Sequence, residues 1–287
     1  MQQLTHPQPP IPTPCTIAVC PDPPSDDALL RVAARLSVDL GLPLLTRPRV
    51  RGLEMLLVVT PSRLELRVVG GAAELRGGRA VFVNLAKVDA TSTAGRRLSQ
   101  PIAKAVGLKR GQPAPAVIDA TAGYGEDAWL LASLGCRILA VERNKIVATL
   151  LRDGLLRAAT AEPAIAGRVT TLVTDAAAML RQMVRQRPAA TTDLPEAVAD
   201  FWPPDVIYLD PMFPTARKTA QRKALRVLRR LVGDDESAPQ LLAAALTVAR
   251  RRVVVKRPLH AEPLADKPGS VHKGKSTRYD VYHVSRS

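Results

Sequence analysis

From about residue 96 onward, short apolar runs alternate with amphipathic helical stretches, and this order constrains the fold more than any other feature. Ala116–Asp119, Arg137–Val141, Val169–Val173, Val206–Leu209 and Val253–Val255 read as strands. Helical patterns near 98–106, 126–134, 145–159 and 239–250 lie among them. Strands that alternate with helices join as right-handed βαβ units, so an α/β fold with a doubly wound, parallel sheet is expected. The first third differs. Pro7 to Pro24 holds eight of the 25 prolines and reads as an extended, poorly ordered lead-in. A helix is expected from about Asp26 to Gly41. Runs at Glu54–Thr60, Leu64–Val69 and Ala80–Leu85, punctuated by Pro61-Ser62, Gly70-Gly71 and Gly77-Gly78, suggest a small antiparallel sheet. The chain therefore divides into 1–95, a proline-rich lead-in with a small α+β domain, and 96–287, the α/β domain.

In open α/β sheets ligands bind beyond the carboxyl ends of the strands, near the point where strand order reverses. The turn Asp119-Ala120-Thr121-Ala122-Gly123-Tyr124-Gly125-Glu126-Asp127-Ala128 falls there. Gly123 and Gly125 permit a tight turn and a close backbone approach. Glu142 ends the next strand, 23 residues after Asp119, where a carboxylate can accept hydrogen bonds from both hydroxyls of a ribose. The spacing also fits a loose dinucleotide fingerprint. A dinucleotide, however, sets its diphosphate on the helix N-terminus, and here Asp119, Glu126 and Asp127 would repel it. S-adenosylmethionine carries no phosphate, and its ammonium and sulfonium suit those carboxylates. The bland alternative, that Glu126 and Asp127 merely offset the helix dipole, accounts for neither Asp119 nor Glu142.

A second turn, Asp210-Pro211-Met212-Phe213, follows the run Val206-Ile207-Tyr208-Leu209. An exocyclic amine on a nucleobase is a poor nucleophile. A site that methylates it must accept hydrogen bonds from its protons, hold the ring flat and aim the nitrogen at the methyl carbon. Asp210 offers carboxylate oxygens, Pro211 stiffens the turn and has no N–H, and Phe213 can stack on a base for roughly 1–3 kcal/mol. The competing reading is a capping aspartate with proline at the first helical position.

Charge supplies the partner. The chain carries 41 Lys+Arg against 26 Asp+Glu, a net +15, which points to a polyanion, nucleic acid before membrane surface. Between Arg217 and Arg230 there are seven cations and no acid. Arg217, Lys218, Arg222 and Lys223, with Lys256 and Arg257 at the end of the fifth strand, are candidates to grip phosphates. Cys15, Cys20 and Cys136 form no zinc-type cluster with the four dispersed histidines, so no metal site is expected. No stretch is apolar enough to span a membrane and the N-terminus lacks a signal-peptide pattern, so the expected compartment is the cytoplasm.

The stretches DATAGYGEDAWLLASLGC, VERNKIVATLLRDGLLRA, VIYLDPMFP, LVGDD, RRVVVKRP and RYDVY run in one order over about 119–282. They resemble the small-subunit ribosomal RNA methyltransferase J family. That resemblance implies a Rossmann-like class I domain that uses S-adenosylmethionine to methylate a guanine N2 in small-subunit (16S) ribosomal RNA, on the free RNA or the ribosomal subunit. It further implies cofactor contacts from Glu126, Asp127, Glu142 and Arg143, an adenine-side position for Asp175 and Ala176, and Asp210 at the donor–acceptor junction. This chain departs from the family's usual Gly-Leu-Gly-Arg-Asp with Gly123-Tyr124-Gly125-Glu126-Asp127. Three other readings stand beside it: an adenine-N6 methyltransferase, a dinucleotide-dependent oxidoreductase, and a basic ribosome-assembly factor that binds RNA without turnover.

Overall fold

The structure, a computed structural model, describes residues 15–47, 51–76, 78–90, 92, 98–185, 195–212, 223–233 and 237–284. Near the N-terminus, β1 (Ile17–Pro21), α1 (Asp27–Leu40), β2 (Met55–Val59) and β3 (Leu64–Val68) form a small α+β unit. Its helix starts where Asp26 accepts from the amides of Ala28 and Leu29, and stops at Gly41, whose φ of 66° is left-handed. The sheet order is β1-β2-β3, with β1 parallel to β2 and β2 antiparallel to β3.

Two expectations for this region are corrected. The end of the proline-rich lead-in is a buried strand, because Ile17, Ala18, Val19 and Cys20 are all apolar and pair with β2. The run Ala80–Leu85 joins the sheet only by a bridge between Leu66 and Val81, and its end enters a short 3-10 turn at Leu85–Lys87.

The remaining elements are α2 (Pro101–Val106), β4 (Ala116–Asp119), α3 (Glu126–Ser133), β5 (Arg137–Glu142), α4 (Lys145–Ala159), α5 (Pro163–Ala166) and β6 (Val169–Val173). Then come α6 (Ala176–Arg185), α7 (Glu196–Ala199), β7 (Val206–Leu209), α8 (Lys223–Val232), α9 (Ala238–Val248), β8 (Arg252–Pro258), β9 (Ser270–Lys273) and β10 (Thr277–His283). Seven strands order as β6-β5-β4-β7-β8-β10-β9. The five from β6 to β8 are parallel, while β10 runs antiparallel to both β8 and β9. The five strands expected to be parallel are so, and the sheet gains two further strands at one edge, where a short turn between β9 and β10 replaces a crossover helix.

Alternation along each parallel strand sorts side chains into two layers. Val117, Ile138, Val206, Tyr208 and Val254 face α2, α3, α4 and α8, and share one apolar cluster with Val19, Leu57 and Leu66 of the small sheet. Ile118, Leu139, Ile207, Leu209 and Val255 face α6 and α9. Gly154 in α4 allows the close passage of the 80–85 segment, since a Cβ there would lie 2.3 Å from Val83 Cγ1. The strand order reverses between β4 and its two neighbours, β5 and β7, and their carboxyl ends open on the same side.

Candidate active site

A cavity of about 570 Å³ lies over those strand ends. It is lined by Asp119, Gly123, Gly125, Glu126, Asp127, Glu142, Arg143, Asp175, Ala176, Asp210 and Pro211, residues spread over 93 positions of the chain. Backbone geometry builds its floor. Gly123 and Gly125 have φ of 53° and 77°, and a Cβ on Gly125 would stand 2.4 Å from Leu151 Cδ1. The Gly123 amide donates to Glu142 Oε2 at 3.0 Å, and the Asn144 amide donates to Oε1 at 2.8 Å. Glu142 is thereby fixed at the end of β5, with its carboxylate in the cavity wall. Asp175 accepts from the Ala178 amide at 2.6 Å, which makes it the cap of α6 as well as a wall residue.

Three carboxylates and one ammonium form the centre. Asp119, at the end of β4, is buried and accepts from the Thr121 amide at 3.1 Å. Asp127 Oδ2 accepts from the Tyr208 hydroxyl at 2.6 Å and from Lys256 Nζ at 2.7 Å. The same ammonium stands 3.0 Å from Asp210 Oδ2, and the Asp210 amide donates to Thr121 Oγ1 at 2.6 Å. Burial pushes the Asp119 carboxyl well above the usual carboxylate range, against the Thr121 amide and with Asp127 and Asp210 adding to the rise. Asp210 is also raised by burial, although its side chain keeps 41% exposure toward the cavity; Lys256 opposes that rise and Asp127 adds to it. Lys256 is held well above its ordinary range, since Asp127 and Asp210 outweigh the cost of burying it.

Six carboxylates against four basic side chains line the cavity, which makes it net acidic in a chain that carries +15. An acidic pocket of this kind rejects a diphosphate and accepts a cation. Its residues fit S-adenosylmethionine: Asp119, Asp127 and Asp210 for the cationic end, Glu142 for the ribose hydroxyls, and Asp175 and Ala176 for the flat base.

Several sequence-predicted residues sit elsewhere in the network. Lys256, expected to grip RNA, has its ammonium between Asp127 and Asp210. Arg257 is buried and donates to the Glu262 carbonyl. Lys223 donates to the Arg79 carbonyl at 3.0 Å and so ties α8 to the N-terminal unit. Arg143 donates to the Val232 carbonyl at 3.1 Å at the other end of α8. Phe213, Arg217, Lys218 and Arg222 lie outside the described residues. Sequence reasoning missed Tyr208 and Thr121 as site residues. A lone tyrosine in an otherwise aliphatic strand was the available signal for the first; nothing in the sequence marked the second.

The strand order, the acidic cavity at the switch point and the glycine turn together define a Rossmann-like methyltransferase domain that uses S-adenosylmethionine. Comparison with known proteins agrees: the model of a family of SAM-dependent methyltransferases matches residues 45–284. A ribosomal RNA small subunit methyltransferase J of Coxiella burnetii is 42% identical over 270 residues, spanning 92% of this chain and 96% of the relative. Its namesake in Thioalkalivibrio sulfidiphilus is 50% identical over 186 residues, 64% of this chain and 68% of the relative. The crystal structure of a SAM-dependent methyltransferase from Neisseria gonorrhoeae matches with a TM-score of 0.64 at 32% identity, covering 93% of this chain and 95% of that one. The chain belongs to the ribosomal RNA small subunit methyltransferase J family. Similarity extends well before the stretch that carried the sequence resemblance. Among the described residues there is no group of His, Cys, Asp and Glu suited to a metal, and no helix long and apolar enough to cross a membrane.

Proposed function

We propose that this protein methylates the exocyclic N2 of a guanine in small-subunit ribosomal RNA. The observation that carries this reading is Asp210: a carboxylate at the end of β7, open to the cavity, beside the acidic centre suited to a cationic methyl donor. S-adenosylmethionine, when bound, supplies a methyl group on a positively charged sulfur. Asp210 accepts hydrogen bonds from the amine protons of the base, which turns the nitrogen lone pair toward that methyl group. The chain's own part in the reaction is that Asp210, while ionised, holds the amine by its protons and accepts the one the nitrogen loses once methylated, passing it on to water. Holding both partners in a near-attack geometry can account for most of the acceleration. Pro211 stiffens the turn, and Phe213 stacks on the base, which must be unpaired or flipped out to enter.

Asp119, Glu126, Asp127, Glu142 and Arg143 hold the donor, with Asp175 and Ala176 at its adenine. Arg217, Lys218 and Arg222 grip phosphates of the RNA. The chain divides near residue 96, and the smaller unit buttresses α8, which forms one wall of the cavity. The relatives named for small-subunit ribosomal RNA support the substrate class, and the +15 charge suits it. A cytoplasmic location follows from that substrate.

Asp210→Ala should lower methyl transfer by at least about a hundredfold, the scale of losing one positioned polar group at a reacting centre, with RNA binding largely kept. Full activity in Asp210→Ala would remove this assignment.

A further inference from the structure

We infer that Lys256 is a positioning residue that acts through Asp210, holding that carboxylate ionised and aimed at the acceptor amine, with Asp127 and Tyr208 as its fixed anchor. This rests on the reading of Asp210 given above. Lys256 lies on β8, and its side chain is 22% exposed, too enclosed for a free phosphate-gripping cation. Its ammonium reaches Asp127 Oδ2 at 2.7 Å and Asp210 Oδ2 at 3.0 Å. Asp127 in turn accepts a hydrogen bond from the Tyr208 hydroxyl at 2.6 Å, and Tyr208 is wholly buried in β7. The chain of contacts Tyr208–Asp127–Lys256–Asp210 therefore starts in the rigid core of the sheet and ends on Asp210, whose side chain is open to the cavity.

An ammonium can fix a carboxylate in this way without blocking it. Asp210 has two oxygens and about four lone-pair sites. Oδ2 faces Lys256, and among the described residues no donor engages Oδ1, the oxygen assigned here to an amine proton. Without the ammonium, three carboxylates would crowd one buried site, and like charges so placed drive one another to take up protons. A protonated Asp210 would offer a hydroxyl in place of an acceptor. Among the described residues, the groups that act on Asp210 come from five other positions: Asp127 on α3, Lys256 on β8, Asp119 at the end of β4, Tyr208 on β7, and Tyr279 on β10, the last two being hydroxyls raised by burial and by Asp127 and Asp210. Among them only Lys256 is positive.

The sign of the effect follows. Transfer requires ionised Asp210, so activity falls as pH drops through the Asp210 titration. Removing an opposite charge at about 3 Å should move that titration upward by about 1–3 pH units. Lys256→Met should therefore shift the acid limb of the kcat profile to higher pH by that amount, with activity partly regained in alkali. Lys256→Arg, which keeps the charge, should restore the limb toward its wild-type position. In the protein alone, with no cofactor or RNA, carbon-13 NMR of labelled aspartate should show the resonance absent from Asp210→Asn titrating about 1–3 units higher in Lys256→Met. If Lys256→Met does not fold, Tyr208→Phe, which removes only the anchor's hydroxyl, should move the same resonance in the same direction by less.

The inference is overturned if Lys256→Met leaves the Asp210 resonance and the acid limb in place. It is also overturned if the variant raises only the KM for RNA and flattens the salt dependence, the signature of a lost phosphate contact. Absence of methyl transfer by the wild type would instead count against the proposed function, and the NMR titration would still decide the Lys256–Asp210 coupling.

Discussion

Asp119 is wholly enclosed at the end of β4, and its nearest donor is the Thr121 amide rather than a cation. Burial raises its carboxyl well above the ordinary range, and Asp127 and Asp210 add to that rise. A cationic ligand beside it would lower the same carboxyl, so binding should release a proton. Affinity for S-adenosylmethionine is therefore expected to rise as pH rises through the titration of the free site. Calorimetry in buffers of different ionisation enthalpy would register the released proton, and Asp119→Asn should abolish the pH dependence. A flat affinity from pH 5 to 8 would show that Asp119 is already ionised in the empty cavity.

At the scale of elements, α8 is the piece that joins the two parts of the chain. Arg230 makes a bidentate contact with Glu54, 2.9 and 2.7 Å, beside the turn into β2. Asn144 and Arg143 hold the other side of its C-terminal turn through the carbonyls of Leu231 and Val232. Arg230→Ala should cost about 1.5–3 kcal/mol, the range for hydrogen bonds to charged groups. The Arg230 guanidinium depresses the Glu54 carboxyl, with burial opposing. The stabilisation is thus full above the unfolded-state value and fades as pH falls through the lower folded-state value. The Arg230→Ala penalty should accordingly shrink in strong acid, as chemical denaturation of both forms would show.

Elements of this kind were unevenly visible in the sequence. The inner parallel strands β4, β5, β7 and β8 and the helix α4 were legible because both faces of those strands are largely buried and the α4 apolar stripe repeats at helical spacing. Asn144 caps α4 where the sequence marks it, accepting from the amides of Ile146 and Val147. By contrast, Ser-Val-His-Lys of β9 is half exposed and has too little apolar patterning to announce a strand. The strand β1 was hidden by the prolines around it. Contacts across long stretches of sequence were the least legible. Lys256 read as one more basic residue because its partner Asp127 lies 129 residues away.

Over the whole molecule, charge is divided. The chain is strongly basic, yet its cavity gathers carboxylates, an arrangement that draws a polyanion to the surface while reserving the pocket for a cation. The glycine turn, Glu142 and Asp210 were legible because each ends or follows a readable strand. The order that brings them together, with β4 between β5 and β7, rested on the rules for α/β connections until the pairings were in hand. The central claim is transfer of a methyl group to a guanine amine, and it is most directly tested with labelled S-adenosylmethionine and unmethylated small ribosomal subunits, alongside free ribosomal RNA, followed by nucleoside analysis. Label confined to N2-methylguanosine, and lost with Asp210→Ala, is the expected result. Label in N6-methyladenosine, or none in either substrate while the cofactor binds, would contradict it.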